Sequence, residues 1–298
     1  MRRLLAILPL VCGCLVAHEE PAVRGVPRDD RSAPLSAVWV GHATVLLRMG
    51  NRTVLTDPNL GDAILIVPRE TPASLRPSDL PPIDVAVISH MHLDHFDAPT
   101  LRKLGRYPAV LFPDGGQSYA DEILQPRKRA LKTWESVEVR GLTVTAVPAR
   151  HRGGRYGIDA LWNHAATGYV IEGAGRRVYF AGDTGLHPEF AAIAERYGPF
   201  DLVLLPIGAY EPRWFMRRVH MNPEDALEAY RGLRGPYADT PSPTMLAIHW
   251  GTFRLTDEPA DEPPERVRRR WAEAGLPGEA LWVMRHGETK RLNTLGAR

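Results

Sequence analysis

The sequence predicts a layered α/β fold in which two β-sheets pack face to face and helices cover both outer faces. Three observations carry this. Short apolar runs rich in β-branched residues, such as 83–88 and 202–205, read as buried strands. The runs fall into two strand-rich halves, each followed by helical patterns. Several of them end in His or Asp, in the position where active sites gather in layered α/β folds.

In chain order, residues 37–40, 43–49 and 53–56 predict a meander broken at Gly41-His42 and Gly50-Asn51, both turn signals. Residues 62–82 carry several prolines and no sustained period, which predicts an ordered loop near the site. After strand 83–88 come a helix capped by Asp97, a strand at 110–112 and a helix at about 119–124. The second half repeats the pattern. Strands over 137–147 turn at Gly141-Leu142, and 169–172 pairs with 177–180 through Gly173-Ala174-Gly175 as a hairpin. Residues 188–197 are helical with Gly198 as the stop, and 202–205 is a buried strand. Asn222 caps the next helix, with Pro223 in its first turn and Glu224 and Asp225 facing its dipole. Strands at 245–248 and 281–284, with a helix at 264–274 between them, complete the fold.

A chain of 298 residues can bury a sizeable core, and 44% hydrophobic with 24% charged residues is ordinary for a soluble protein. The two cysteines, Cys12 and Cys14, lie at the N-terminus, so the rest of the chain has no disulfide, thiol nucleophile or thiolate ligand. Met1-Arg2-Arg3 followed by an apolar run at 4–11 reads as a secretion signal, too short to span a bilayer as a stable helix. Val11-Cys12-Gly13-Cys14 resembles a bacterial lipobox, with Cys14 as the lipidated residue; a plain secretory signal or an apolar N-terminal strand is the competing reading. The expected organisation is a signal and lipobox region at 1–17, a polar, proline-bearing tether at 18–34 and one domain at 35–298, giving an exported lipoprotein anchored to a membrane. Removing Arg2 and Arg3 from the 37 basic residues leaves 35 against 35 acidic ones. That balance argues against nucleic acid as a partner. Local basic runs remain at 127–129 and at 266–270; the second lies in a helical pattern and reads as a solvated face, with contact to anionic headgroups the weaker alternative.

The stretch Ser89-His90-Met91-His92-Leu93-Asp94-His95 follows the strand at 83–88. Three imidazoles and a carboxylate alternate to two sides of one loop, an arrangement that can feed two metal ions. His-x-His-x-Asp-His is the signature of the metallo-β-lactamase superfamily, which this segment resembles without departure. The resemblance implies a four-layer αββα sandwich with a metal site along one edge. His151, Asp183 and His249 each lie just past a predicted strand and match the spacing of that superfamily. By this resemblance one metal takes His90, His92 and His151, the other takes Asp94, His95 and His249, and Asp183 bridges them. Asp94 and Asp183 then serve as catalytic carboxylates around a metal-bridging hydroxide. The expected cofactor is a pair of divalent ions, zinc first because the ligands are nitrogen-rich, with manganese and iron open. Asp57 resembles the early acidic residue that orients ligand histidines, against a turn-capping role. His42 either faces the site or is a turn histidine, and His164 competes with His151.

Longer motifs narrow the branch. Trp39-Val40-Gly41-His42-Ala43-Thr44-Val45-Leu46, Leu80-Pro81-Pro82-Ile83-Asp84, Phe180-Ala181-Gly182-Asp183-Thr184-Gly185, Pro206-Ile207-Gly208-Ala209-Tyr210-Glu211-Pro212-Arg213-Trp214-Phe215-Met216 and Ala247-Ile248-His249-Trp250-Gly251-Thr252-Phe253 resemble the N-acylphosphatidylethanolamine-hydrolysing phospholipase D family. The likeness implies a phospholipid substrate cut on the headgroup side, releasing phosphatidic acid and an N-acylethanolamine. Tyr210, Arg213, Trp214 and His220 are then expected substrate contacts, with core packing of Trp214, Phe215 and Met216 as the alternative. A soluble lactonase or sugar-phosphate hydrolase would use the same seven ligands. A non-enzymatic lipid-binding lipoprotein is disfavoured by the complete ligand set.

Overall fold

The computed structural model describes residues 33–292 apart from 124, 156–158, 160–161 and 238; the expected signal, lipobox Cys14 and most of the tether lie outside the described residues. The first half holds β1 (Leu35–Gly41), β2 (Thr44–Met49), β3 (Arg52–Thr56), the short β4 (Ala63–Ile64) and β5 (Val67–Pro68), and β6 (Val85–Val87). It continues with α1 (Ala98–Lys103), β7 (Ala109–Pro113), α2 (Gln117–Ala120) and β8 (Lys128–Leu131). The second half runs β9 (Ser136–Val139), β10 (Leu142–Pro148), β11 (Thr167–Gly173), β12 (Arg176–Phe180), α3 (Glu189–Tyr197) and β13 (Leu202–Pro206). Then follow α4 (Arg213–Met216), α5 (Pro223–Arg234), β14 (Thr244–Ile248), α6 (Glu262–Glu273), β15 (Leu281–Trp282) and β16 (Thr289–Leu292).

Two seven-stranded sheets result, ordered β16-β1-β2-β3-β6-β7-β8 and β15-β14-β13-β12-β11-β10-β9. The alternation of side chains along each strand builds the layers. On β13, Leu202 and Leu204 join Trp39, Leu47, Val54 and Ile171 in the core between the sheets, while Val203 and Leu205 pack under α3, α5 and α6 with Phe190, Tyr230 and Trp271. The outer face of the first sheet packs Ala86, Ile88 and Val110 against Phe96 and Leu101. Helices therefore flank two stacked sheets, which is the expected αββα sandwich.

The caps are as expected: Asp97 accepts from the Thr100 amide to start α1, and Asn222 accepts from the Asp225 amide to start α5. Several elements differ from expectation. The 62–82 stretch, expected to be loop, contains the β4–β5 hairpin. The strand expected at 281–284 ends at Trp282, the helix expected at 119–124 is α2 over Gln117–Ala120, and two residues of the basic run at 127–129 open the edge strand β8 (Lys128–Leu131), parallel to β7. The edge strand β16 was not expected at all; it pairs antiparallel with β1 and closes the first sheet.

Candidate metal centre

The parallel strands of both sheets end on one side of the sandwich, and the seven residues expected to hold metal, with Asp57, lie past strand C-termini. Asp57 follows β3, the His90–His95 loop follows β6, His151 follows β10, Asp183 follows β12 and His249 follows β14. The two loop sets meet because the sheets are clamped there. The Tyr169 hydroxyl on β11 donates to the Ile88 carbonyl across 2.9 Å, and the Thr167 amide donates to the Ser89 carbonyl across 2.9 Å. Gly182 makes the approach possible: its φ is +61°, and a Cβ there would stand 2.3 Å from the Ser89 Cβ.

The side chains converge in two groups with Asp183 between them. His90, His92 and His151 form one, with His90 Nε2 2.8 Å and His151 Nε2 3.3 Å from His92 Nδ1. Asp94, His95 and His249 form the other, joined by His42: His95 Nε2 lies 3.2 Å from Asp94 Oδ2 and 3.2 Å from His249 Nε2. Asp183 Oδ2 lies 3.1 Å from His95 Nε2 and 3.0 Å from His249 Nε2, and a ligand atom of Asp183 also groups with His90 and with His151 and His220. All seven side chains expected to hold metal are therefore in one cluster. His164 is exposed and stands outside it, so His151 is the histidine that the fold delivers.

Hydrogen bonds behind the cluster decide which nitrogens face inward. His95 Nδ1 donates to Asp57 Oδ2 at 2.6 Å, and Asp57 also accepts from the Ser89 amide and hydroxyl, each at 2.6 Å. His90 Nδ1 donates to Ser89 Oγ at 3.0 Å and His151 Nδ1 to the Val219 carbonyl at 2.8 Å. With the outer nitrogens of His90, His95 and His151 engaged, their inner Nε2 atoms face His92 Nδ1, His249 Nε2 and the Asp94 and Asp183 carboxylates. Asp183 Oδ1 has no hydrogen-bond partner among the described residues. Facing ring nitrogens and an orphaned buried carboxylate oxygen are what a cation between them would satisfy, so the donor set fits divalent metal.

The electrostatics agree. Burial pushes the His90 imidazole well below its ordinary value, helped by His95, His92 and His151, and His151 is depressed by burial and His220. Burial works against charge on His95 too, but the Asp183, Asp94 and Asp57 carboxylates outweigh it and raise His95 well above the usual range. His249 is raised to about 9 by Asp183 against the effect of burial. Asp94 and Asp183 are held well below the usual carboxylate range, against burial, by their histidine neighbours. One group thus favours neutral imidazole, and the carboxylate-bearing group favours positive charge.

Asp57 is hydrogen-bonded to the ring of His95, the contact that the orienting role asks for. His42 faces the site: its Nε2 donates to Asp94 Oδ2 at 2.9 Å and its ring lies 3.9 Å from that of His249. Of the four expected substrate contacts, only His220 reaches the cluster, with Nδ1 3.8 Å from Asp183 Oδ2. The Tyr210 hydroxyl donates to Glu262, and Arg213 donates to the Asp225 carboxylate and to the His220 carbonyl. Trp214 and Phe215 are exposed on α4, so the core-packing alternative for them is overturned: a four-residue helix with no buried residue has no apolar face to cover. Sequence reasoning missed Ser89, whose signal was its place directly before the histidine motif. It also missed Asn59, whose amide donates to the Leu93 and Asp94 carbonyls and steadies the loop. Positive φ at His42 (54°), Asp57 (32°) and His249 (62°) left no mark in the sequence. The first and last are held by the His249 amide donating to the His42 carbonyl at 3.0 Å.

Residues 52–250 match the β-lactamase superfamily domain. An uncharacterized protein of Mycobacterium tuberculosis is 38% identical over 252 residues, covering 80% of this chain; the chain spans 64% of that relative's length. N-acyl-phosphatidylethanolamine-hydrolyzing phospholipase D 1 of Caenorhabditis elegans is 32% identical over 272 residues, covering 83% of this chain and 73% of the relative. Among solved structures, isothiocyanate hydrolase from Delia radicum gut bacteria superimposes with a TM-score of 0.70 at 20% identity, over 87% of this chain and 100% of the other, a likeness of fold. With the domain match, the αββα layers and the clustered motif residues together, the chain belongs to the metallo-β-lactamase superfamily, with N-acylphosphatidylethanolamine-hydrolysing phospholipases D among its homologues.

Proposed function

We propose that this chain is a metal-dependent hydrolase of phospholipase D type, acting on N-acylphosphatidylethanolamine or related phospholipids. The observation that carries the hydrolase reading is the convergence of His90, His92, His151, Asp94, His95, His249 and Asp183 at one edge of the sandwich. The phospholipase reading is supported by the 32% identity to the Caenorhabditis elegans enzyme across most of both chains.

His90, His92 and His151 would hold one divalent ion and Asp94, His95 and His249 a second, with Asp183 shared. When bound, the ions supply Lewis acidity and a water of lowered pKa. The chain's own groups do the positioning. Asp57 and Ser89 fix the His95 and His90 rings, and the Val219 carbonyl fixes His151. His42 holds Asp94 in place. His220, buried, with Nδ1 unpartnered among the described residues, is placed to meet a substrate oxygen beside Asp183. Burial lowers its pKa to about 4, which keeps the ring neutral at pH 7. Water adds to phosphorus, the bond to the headgroup oxygen breaks, and the products are phosphatidic acid and the N-acylated amino alcohol.

The test is turnover by the full chain, loaded with zinc, on N-acylphosphatidylethanolamine, a lactone and a sugar phosphate. Release of phosphatidic acid is expected, with Asp183→Asn lowering it by about 100-fold or more while thermal unfolding stays cooperative. Activity confined to the lactone or the sugar phosphate would replace the phospholipase reading by a soluble hydrolase of the same fold. Unchanged turnover in Asp183→Asn would overturn the metal mechanism.

A further inference from the structure

Large apolar side chains stand in solvent around the mouth of the metal cluster. Trp214 is 80% and Phe215 57% exposed on α4, close in sequence to His220. Leu255 is 38% exposed, six residues after His249, and lines a cleft with His42, His249 and Phe253. At the tip of the β4–β5 hairpin Leu65 is 80% and Ile66 95% exposed. That hairpin is tied to the same rim: Arg69 at its base pairs with Phe253 and donates to the Asn59 carbonyl, and the Asn59 side chain holds the Leu93–Asp94 backbone.

Cations accompany these side chains. Arg217 and Arg218 are exposed beside Trp214 and Phe215, Arg254 is exposed next to Leu255, and Arg152 is exposed next to the cluster residue His151. None of the four arginines has a side-chain ion pair among the described residues. Three separate loops thus each present a cluster histidine inward and an arginine outward, two of them with large apolar groups alongside.

We propose that this rim docks the protein on an anionic phospholipid surface, with Trp214, Phe215, Leu65, Ile66 and Leu255 entering the interface and Arg152, Arg217, Arg218 and Arg254 meeting the headgroups. An aromatic with a polar edge is at home between headgroup and acyl chain, and arginines near an anionic surface are attracted to its headgroups. A protein partner would ask for a contiguous packed face, whereas here the apolar groups stand at the tips of separate loops, two of which carry arginines without an ion pair among the described residues. The docking is independent of the expected lipid anchor. The phospholipase reading supplies its purpose: the cluster would open directly onto the substrate bilayer.

The test is co-sedimentation of the full chain carrying Cys14→Ser, so that no acyl anchor contributes, with vesicles of phosphatidylcholine alone or mixed equally with phosphatidylglycerol. Binding is expected to be stronger on the mixed vesicles and to fall with added salt. Arg217→Glu with Arg218→Glu should lower binding to the mixed vesicles by about tenfold or more, and Trp214→Ser with Phe215→Ser should lower it on both compositions. Brominated acyl chains should quench tryptophan fluorescence in the parent and less in Trp214→Phe. Asp183→Asn should bind as the parent does. Equal partitioning of the parent and both double variants would overturn the proposal. So would self-association abolished by Trp214→Ser with Phe215→Ser in a protein that leaves vesicles unbound, which assigns the rim to a second copy. Vesicle binding with no release of phosphatidic acid from N-acylphosphatidylethanolamine added to the vesicles would leave the docking standing and remove the phospholipase reading.

Discussion

At the scale of single residues, Asp57 stands outside the histidine cluster and is hydrogen-bonded to a member of it. Its two oxygens accept from the Ser89 amide, the Ser89 hydroxyl and His95 Nδ1, all at 2.6 Å. The carboxylate is fully buried, and burial pushes its pKa up even though His95 and Ser89 pull the other way. Asp57→Asn keeps the shape but offers only one oxygen acceptor, and its amide cannot accept from His95. Metal affinity should fall by about 10–100-fold, read by competition with a chromophoric chelator. An affinity equal to that of the parent would show that Asp57 merely closes a turn. The motif histidines were legible in the sequence because their spacing along one loop is itself the chemical pattern. Asp57 was half legible, since an aspartate before proline also reads as a turn cap. His42 was half legible too, as a residue that either faces the site or sits in a turn, because nothing local tells that its ring crosses to Asp94, 52 positions away.

At the scale of elements, the site exists because loops from two sheets are brought within touching distance, and Gly182 is the point of closest approach. Adding a Cβ there puts it 2.3 Å from the Ser89 Cβ in a backbone region that L-residues rarely enter. Gly182→Ala should lower stability by about 1–3 kcal/mol in urea unfolding. Displacing Asp183 from the His95 loop should also lower turnover by about tenfold or more. A variant of parental stability and rate would mean that the sheets slide freely at this edge. Most central strands could be read from the sequence because burial on both faces leaves a continuous apolar run, as at β6, β13 and β14. The edge strands β8 and β16 could not. Lys128–Leu131 and Thr289–Leu292 are half-exposed, charged and short, the composition that keeps a sheet edge from pairing with another chain. The β4–β5 hairpin was hidden for a related reason, since two-residue strands carry no period to detect.

At the scale of the whole molecule, the last strand returns to the first, and the segment before it carries a buried histidine that ties the chain's end to the floor of the site. The His286 ring stacks on Trp39 at 4.2 Å between centroids, and its Nε2 lies 2.8 Å from Thr252 Oγ1; the Thr252 hydroxyl also accepts from the His42 amide at 2.7 Å. The charged group facing it is Arg69. Burial first, and then that guanidinium, lowers the His286 pKa to about 3 from an ordinary 6.5. The unfolded chain takes up a proton at this residue as pH falls through 6.5, and the folded chain does not until about pH 3. Stability from this residue is therefore fully present above pH 6.5 and lost progressively between 6.5 and about 3, with a slope approaching 1.4 kcal/mol per pH unit. His286→Gln keeps a side-chain amide near Thr252 and has nothing to titrate. Urea midpoints measured from pH 7.5 to pH 4 should fall less steeply for His286→Gln than for the parent, although the variant starts lower at pH 7.5 because the stack on Trp39 is weakened. Parallel curves would show that His286 takes up its proton at the same pH in the fold as in the unfolded chain, so that neither burial nor Arg69 depresses it.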